Sequence, residues 1–239
     1  MAATRPQPQD LRQNLILAGL SDTDLERVAP QLERYPLERR QVLIDVNEPI
    51  AHVYFPVRGL ASLIMGTTNG FTVEVAMVGS EGIIGLPAVL GSDTAPINCL
   101  VQVPGQAYRM TTSAVRAEVR RNEVLLERLH LYAQTLFVQA AQSVVCMSHH
   151  SVVQRCARWL LMTRDRVGSD DFTLTQEFLA QMLGVRRASV SGAAGQLQEA
   201  GLIRYSRGHI AIVDRHQLER HACECYRIIT AEADRLLPK

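Results

Sequence analysis

Lysine is almost missing from this chain. Of 25 basic residues only Lys239 is lysine, and the other 24 are arginine. The planar guanidinium donates in pairs to phosphate, so this usage suits an anionic partner. An arginine-favouring genomic base composition gives the same count. No window approaches the ~18 consecutive apolar residues of a membrane span, so no transmembrane helix is expected. The start, Met1 to Asp10, is polar and Pro/Gln-rich, with no apolar run. It does not read as a secretory signal, and a cytoplasmic location is expected. The five cysteines (99, 146, 156, 223 and 225) are odd in number and lack framework spacing, as reduced thiols do. There is no internal repeat and no low-complexity tract. What remains is ordinary globular composition: 239 residues, 47% hydrophobic and 21% charged. That length suits one large or two modest domains. The net charge of +1 conceals a modest division, −2 over residues 1–150 and +3 over residues 151–239.

The hydrophobic period changes twice. Leu11 to Leu32 reads as short helices, with Ser21 as an N-cap and Asp22 and Asp24 in the first turn, where the helix dipole favours acids. From Tyr35 to Met110, β-branched runs alternate with turn residues. The expected strands are 41–46, 52–57, 60–65, 71–78, 100–103 and 107–110. The expected turns are Asn47-Glu48-Pro49, Arg58-Gly59, Thr68-Asn69-Gly70 and Pro104-Gly105. Asn69-Gly70 is the strongest hairpin signal, because both residues tolerate positive φ. Many short strands at near-regular spacing suggest an antiparallel barrel or a double-sheet roll. The roll holds only His52, and no His-x-His or Gly-x-Ser-x-Gly occurs. A metal oxygenase or hydrolase is therefore not expected.

After Met110 the period is helical. Residues 111–121 read as a short helix, and 122–147 as a long one without Pro or Gly. The long helix carries two apolar stripes. One is Leu125, Leu129, Tyr132 and Leu136. The other is Leu126, Ala133, Phe137, Ala140, Val144 and Met147, interrupted by His130. A helix apolar on two sides must be covered twice. The roll can cover one stripe, and the same helix of a second subunit is the economical cover for the other. His149-His150-Ser151 then reads as a hinge, with Ser151 capping a helix over 151–166. The two histidines are adjacent and diverge by ~100° on a helix, so they form no i,i+4 ligand pair. Cys223-x-Cys225 is too short a motif for a zinc site and reads as plain thiols on a last helix. Cys146 is the one thiol considered as a redox sensor. No metal and no cofactor are expected.

The most informative segment is 175–203. Helical stretches at 175–183 and 186–200 flank Gly184-Val185. Ala180 lets the second helix cross closely, Gly184 takes a left-handed turn, and Val190 packs back with Leu179 and Leu183. This is helix-turn-helix spacing. Arg186 and Arg187 open the second helix, and Ser189 and Ser191 keep a small polar face, suited to the ~12 Å major groove. Thr175 can cap the first helix and, beside Gln176, offer its end to a phosphate. Residues 202–213 read as a hairpin whose turn carries Arg207 and His209. Helix-turn-helix plus hairpin makes a winged helix. Gly192 and Gly195 each cost the second helix about 1 kcal/mol against Ala, with close packing as the expected compensation.

The order of these pieces, from about Leu20 to Leu237, resembles the Crp/Fnr superfamily of bacterial regulators. The resemblance implies a homodimeric transcription factor on double-stranded DNA with a two-fold-symmetric site, RNA polymerase being a further partner. It places the dimer seam on the second stripe, Leu126 through Met147. In cyclic-nucleotide members a Gly-Glu pair precedes an Arg-Ser pair. Here Gly82-Ile83-Ile84-Gly85 resembles the start of that cassette, but Leu86 stands at the Glu position and Ile97-Asn98 at the Arg-Ser position. Ala140-Ala141 stand where a Thr-Ser pair meets the base. Gly85, Leu86, Ile97, Asn98, Ala140 and Ala141 are thus the expected effector pocket, without the cation that a buried phosphate needs. The effector is unidentified and not expected to be a cyclic nucleotide. The first cysteine is Cys99, so the iron–sulfur cluster of other members is not expected either. In the recognition helix Arg187 falls at a base-reading Arg, Ser189 falls at a phosphate-contacting Thr, and Ala188 and Gly192 replace two further readers.

The expected fold class is α+β: an N-terminal antiparallel β-roll of double-sheet, jelly-roll-like form, a long dimerisation helix and a C-terminal winged helix-turn-helix. The expected boundaries are 1–121, 122–150 and 151–239. A cyclic-nucleotide regulator with a divergent pocket, or a winged helix that docks protein instead of DNA, are the alternatives.

Overall fold

The computed structural model describes residues 6–237. Lys239 and the first half of the segment weighed as a secretory signal lie outside the described residues. The chain divides into two compact units, and the division does not follow sequence order. The first unit comprises the chain up to Leu63, Met77–Leu136 and the end from Ala233. The second comprises Ile64–Ala76 and Phe137–Glu232.

The first unit opens with three short helices, α1 (Pro8–Leu11), α2 (Leu15–Ala18) and α3 (Asp22–Val28). Asn14 caps α2 by accepting from the amides of Ile16 and Leu17. Its side-chain nitrogen donates to Pro56 O at 2.9 Å and Gly82 O at 2.8 Å. One buried amide therefore satisfies four backbone groups, which anchors the helices to the sheet. Ser21 caps α3 as expected, accepting from Asp24 N at 3.1 Å.

Five antiparallel strands follow: β1 (Glu33–Leu37), β2 (Val42–Ile44), β3 (His52–Gly66), β4 (Thr72–Val78) and β5 (Asn98–Thr111). Their order is β1-β5-β3-β4, with β2 also pairing β5. Three expectations change. Residues 52–57 and 60–65 form one strand, as do 100–103 and 107–110. The glycines read as turns at 59 and 105 instead mark a close crossing. A Cβ on Gly59, at φ +90°, would lie 2.7 Å from Val103 O, and one on Gly105 would overlap the Arg58 carbonyl. Glycine lets the backbones approach there without breaking either strand. The third change is β1, a strand that contains Pro36 and lies outside the expected set. It lies at the end of the strand order, where a missing N–H is tolerated.

Between β4 and β5 lies the short α4 (Leu86–Val89), preceded by Gly85 at φ +104°. Helix α5 (Thr112–Val119) leads to α6 (Glu123–His149), whose first half belongs to this unit. The first stripe is buried as expected, with Leu125, Leu129 and Tyr132 at most 3% exposed. Tyr132 donates to Ile83 O at 3.3 Å. A methyl on Gly82 would overlap its ring. Glu118 is fully buried and accepts from Arg27 at 2.7 Å and from Arg121.

The second unit contains the rest of α6, then α7 (Val152–Val167), β6 (Asp171–Thr173), α8 (Gln176–Leu183) and α9 (Arg187–Glu199). It continues with β7 (Ile203–Ser206), β8 (His209–Ile212), α10 (Arg215–His221) and α11 (Cys225–Leu236). Ser151 and Gln154 form a capping box at the start of α7. The strands order as β6-β8-β7, so the wing has a third strand that the sequence reading missed. This unit also holds residues 64–76, the tip of the β3–β4 hairpin, turning at Asn69-Gly70 as expected. Trp159 on α7 donates to Glu74 at 2.9 Å, and Gln181 on α8 donates to Thr72 at 2.9 Å. Among the described residues no helix is long and apolar enough to cross a membrane.

Candidate nucleic-acid interface

The helix-turn-helix forms as its spacing requires. Thr175 caps α8, accepting from Phe178 N at 3.2 Å. Gly184 closes α8 at φ +61°, and its amide donates to Ala180 O and Gln181 O. Val190 is fully buried, with Leu179 and Leu183 at most 3% exposed. Their burial fixes the crossing of α8 and α9 and turns the other face of α9 outward.

That outer face gathers most of the residues read as DNA contacts. Arg186 is the N-cap of α9 and Arg187 its first residue; both are exposed. Thr175, Gln176, Arg187, Tyr205, Arg207 and Gly208 line one open depression. Arg207, at φ +50°, and Gly208, at φ +78°, make the tight turn of the wing. Ser191 donates to Gln176 at 2.6 Å, holding α9 to the start of α8. Ser189 is exposed. His209 stands at the first position of β8, 3.9 Å from Asp171. Tyr205 was not anticipated. Its hydroxyl donates to Leu174 O at 2.8 Å and its amide donates to Gln198 at 2.8 Å, which seats the wing against the helices. A residue half-buried in a two-residue alternation was the available signal.

Charge pairing separates these arginines from others. Arg27, Arg34, Arg109, Arg116 and Arg164 are all held by carboxylates. Among the described residues no carboxylate pairs with Arg186, Arg187, Arg204 or Arg207. Unpaired guanidinium groups around a helix N-terminus form a field suited to phosphate. Gly192 and Gly195 depart from expectation: a Cβ at either would meet nothing within 4 Å. Close packing inside the chain is not what these glycines serve.

On α6, the second stripe is uncovered in the single chain. Phe137 is 73% exposed and Val144 60%; Met147 and His130 are also exposed, while Leu126, Ala133 and Ala140 are half-buried. The pocket residues divide. Gly85, Leu86 and Ile97 line an apolar cavity of about 150 Å³, with Ile44, Ile83 and Leu136 among the other walls. Asn98, Ala140 and Ala141 do not line it, and its walls carry no charged side chain. Ala141 is exposed on α6. Aligning residues by position cannot show which way a helix face turns.

The structure gathers thiols that the sequence leaves far apart. Cys146, His150, Cys223 and Cys225 come together, their donor atoms all within 4.8 Å of one another. Taken as adjacent residues, His149 and His150 diverge; the pair that matters is Cys146 and His150, one helical turn apart. Cys146 and Cys223 sulfurs are 3.5 Å apart, and Cys225 Sγ is 3.4 Å from His150 Nδ1. A hydrogen bond with Cys223, set against burial and aided by Arg158, holds the Cys146 thiol below the ordinary thiol range. The same bond and burial push Cys223 up.

A helix-turn-helix with a three-stranded wing and an unpaired cationic face defines a DNA-binding regulator. Residues 154–221 match the family of the Crp-like helix-turn-helix domain. Over 217 residues the chain is 23% identical to a CRP-like cAMP-activated global transcriptional regulator of Mycobacterium tuberculosis, covering 87% of this chain and 96% of that protein. The fold matches a transcriptional regulator of the Crp/Fnr family from Eubacterium rectale, with TM-score 0.69 at 15% identity over 88% of this chain and 98% of that one. It matches FixK2 from Bradyrhizobium japonicum equally, at TM-score 0.69 and 15% identity over 80% and 98%. Residues 154–221 are thus similar to a Crp-like helix-turn-helix domain, and the α+β fold of the chain is that of solved Crp/Fnr regulators.

Proposed function

We propose that the protein binds a two-fold-symmetric DNA site as a homodimer and answers to a signal other than a cyclic nucleotide. The single observation that carries the DNA reading is the set of unpaired arginines around the α9 N-terminus and the wing turn. In this reading Arg187 reads a guanine edge. Arg186, Thr175, Gln176, Ser189, Ser191, Arg207 and His209 position the helix on phosphates. The second stripe of α6 supplies the seam, since Phe137 and Val144 are too exposed for apolar side chains of a lone chain to leave unexplained. Residues 1–121 then serve as sensor, 122–150 as dimer spine and hinge, and 151–239 as reader. Half-site centres lie about one helical turn apart. RNA polymerase is the partner through which such a regulator would act.

The effector reading rests on the cavity beside α4. A cyclic phosphate needs a cation or paired donors when buried. The cavity wall offers apolar side chains instead, with Leu86 and Ile97 at two of the places that matter. Selection of bound sequences from a random duplex pool, followed by light scattering on the complex, tests the proposal. The expected product is a palindrome bound by two chains. Monomeric binding, or no enrichment, refutes it. Calorimetry with cyclic AMP and cyclic GMP should show no heat of binding; a saturating isotherm would restore the cyclic-nucleotide alternative.

A further inference from the structure

We infer that Cys146, His150, Cys223 and Cys225 form a tetrahedral zinc site within the second unit. The four come from two places. Cys146 lies in the last turn of α6, and His150 follows that helix, its amide donating to Cys146 O at 3.1 Å. Cys223 and Cys225 flank the joint between α10 and α11. The three sulfurs are buried as a cluster of their own.

The spacing fits the metal. With Zn–S near 2.3 Å and Zn–N near 2.0–2.1 Å, tetrahedral geometry puts two sulfurs about 3.8 Å apart and a sulfur and nitrogen about 3.6 Å apart. The observed 3.5 Å and 3.4 Å are such edges. Three thiolates and an imidazole are a closed structural zinc set, and soft sulfur donors select against magnesium or calcium.

The surroundings fit as well. His150 turns Nδ1 toward Cys225, and its Nε2 lies 3.2 Å from Glu224. A carboxylate on the far nitrogen fixes the tautomer and orients a ligating imidazole. Gln142 donates to Cys225 Sγ at 3.2 Å, as donors to a coordinated sulfur do. Zinc with three thiolates and neutral histidine carries one net negative charge, the three thiol protons leaving to solvent. Arg158 on α7 is 8% exposed, and its positive field acts on Cys146. Among the described residues no carboxylate pairs with it, and its Nε has no partner. A buried guanidinium without a carboxylate is costly, and an anionic metal centre compensates it.

The test uses the full chain, purified reduced and without metal-affinity steps, with metal content measured by mass spectrometry. The expected result is one zinc per chain. Replacement by cobalt should give thiolate-to-cobalt charge transfer in the near ultraviolet and intense tetrahedral bands in the red. Cys146→Ser and Cys225→Ser should lose the zinc, while Cys99→Ala, in the first unit, keeps it. Glu224→Gln, at a side chain that is 66% exposed, should weaken zinc binding about 10–100-fold. The unmodified chain decides even where a variant misfolds. If it takes up neither zinc nor tetrahedral cobalt when reduced, the site is refuted. Iron with cluster absorbance in place of zinc, or a Cys146–Cys223 disulfide in a metal-free chain, overturns it equally.

Discussion

Replacing Arg187 by alanine separates base reading from phosphate holding. Arg187 is exposed, pairs with no carboxylate among the described residues, and opens α9 on the rim of the depression it shares with Thr175 and Arg207. A bidentate arginine–guanine contact is worth about 1–3 kcal/mol of discrimination. A dimer presents two such helices, so Arg187→Ala should cost about 2–6 kcal/mol on a symmetric site, tens-fold at the low end. A phosphate contact behaves otherwise. Each one removed lowers the slope of log affinity against log salt by about 0.9, and affinity falls alike on every sequence. Fluorescence anisotropy on the selected palindrome and on a scrambled duplex, at several salt concentrations, measures both quantities. Arg187→Ala should collapse the ratio between the two duplexes, and Arg186→Ala should reduce the salt slope while keeping the ratio. An unchanged ratio in Arg187→Ala refutes the base-reading role.

Four further outcomes are expected. Gly192→Ala should raise thermal stability by about 1 kcal/mol, because a Cβ there meets open space within the chain. It should weaken binding to the palindrome if α9 lies close against DNA, so a variant that is stabler and binds equally would remove that reading. Phe137→Glu should convert dimers to monomers in sedimentation, and an unchanged mass would dismiss the seam. Gly82→Ala should cost about 1–3 kcal/mol in denaturant unfolding by overpacking Tyr132. Glu118 is opposed by burial, but hydrogen bonds from Arg121 and Arg27 outweigh this and hold its carboxyl below the ordinary range. Its contribution is therefore present above the ordinary carboxylate pKa and is lost as pH falls through the depressed one. Wild type should lose more stability than Glu118→Gln across that acid window, and parallel losses would contradict it.

Local chemistry made much of this molecule legible. Ser21, Thr175 and Ser151 announce their helices by capping, and Ala180, Gly184 and Val190 announce a crossing that packing then enforces. The first stripe of α6 shows its period because a core satisfies it. Glycine misled at 59 and 105, since a residue that permits a turn also permits two strands to touch. β1 tolerates Pro36 because it ends the strand order, a position that local sequence does not disclose. Of the residues that the family resemblance put at the pocket, Gly85, Leu86 and Ile97 line the cavity, whereas Ala140 and Ala141 depend on how α6 is rotated. The four sulfur and nitrogen donors were hardest to see. Some seventy residues separate His150 from Cys223, and only the chain's return through α10 brings them together.

The β3–β4 hairpin tip has a practical consequence. Trp159 is satisfied by Glu74, and Gln181 by Thr72, both from a strand far upstream in sequence. Cutting the gene at residue 150 to graft this reader onto another sensor would leave an indole and an amide without their native acceptors, and apolar side chains bared. Chimeras designed on the linear map should precipitate, whereas those that carry residues 64–76 along should stay in solution.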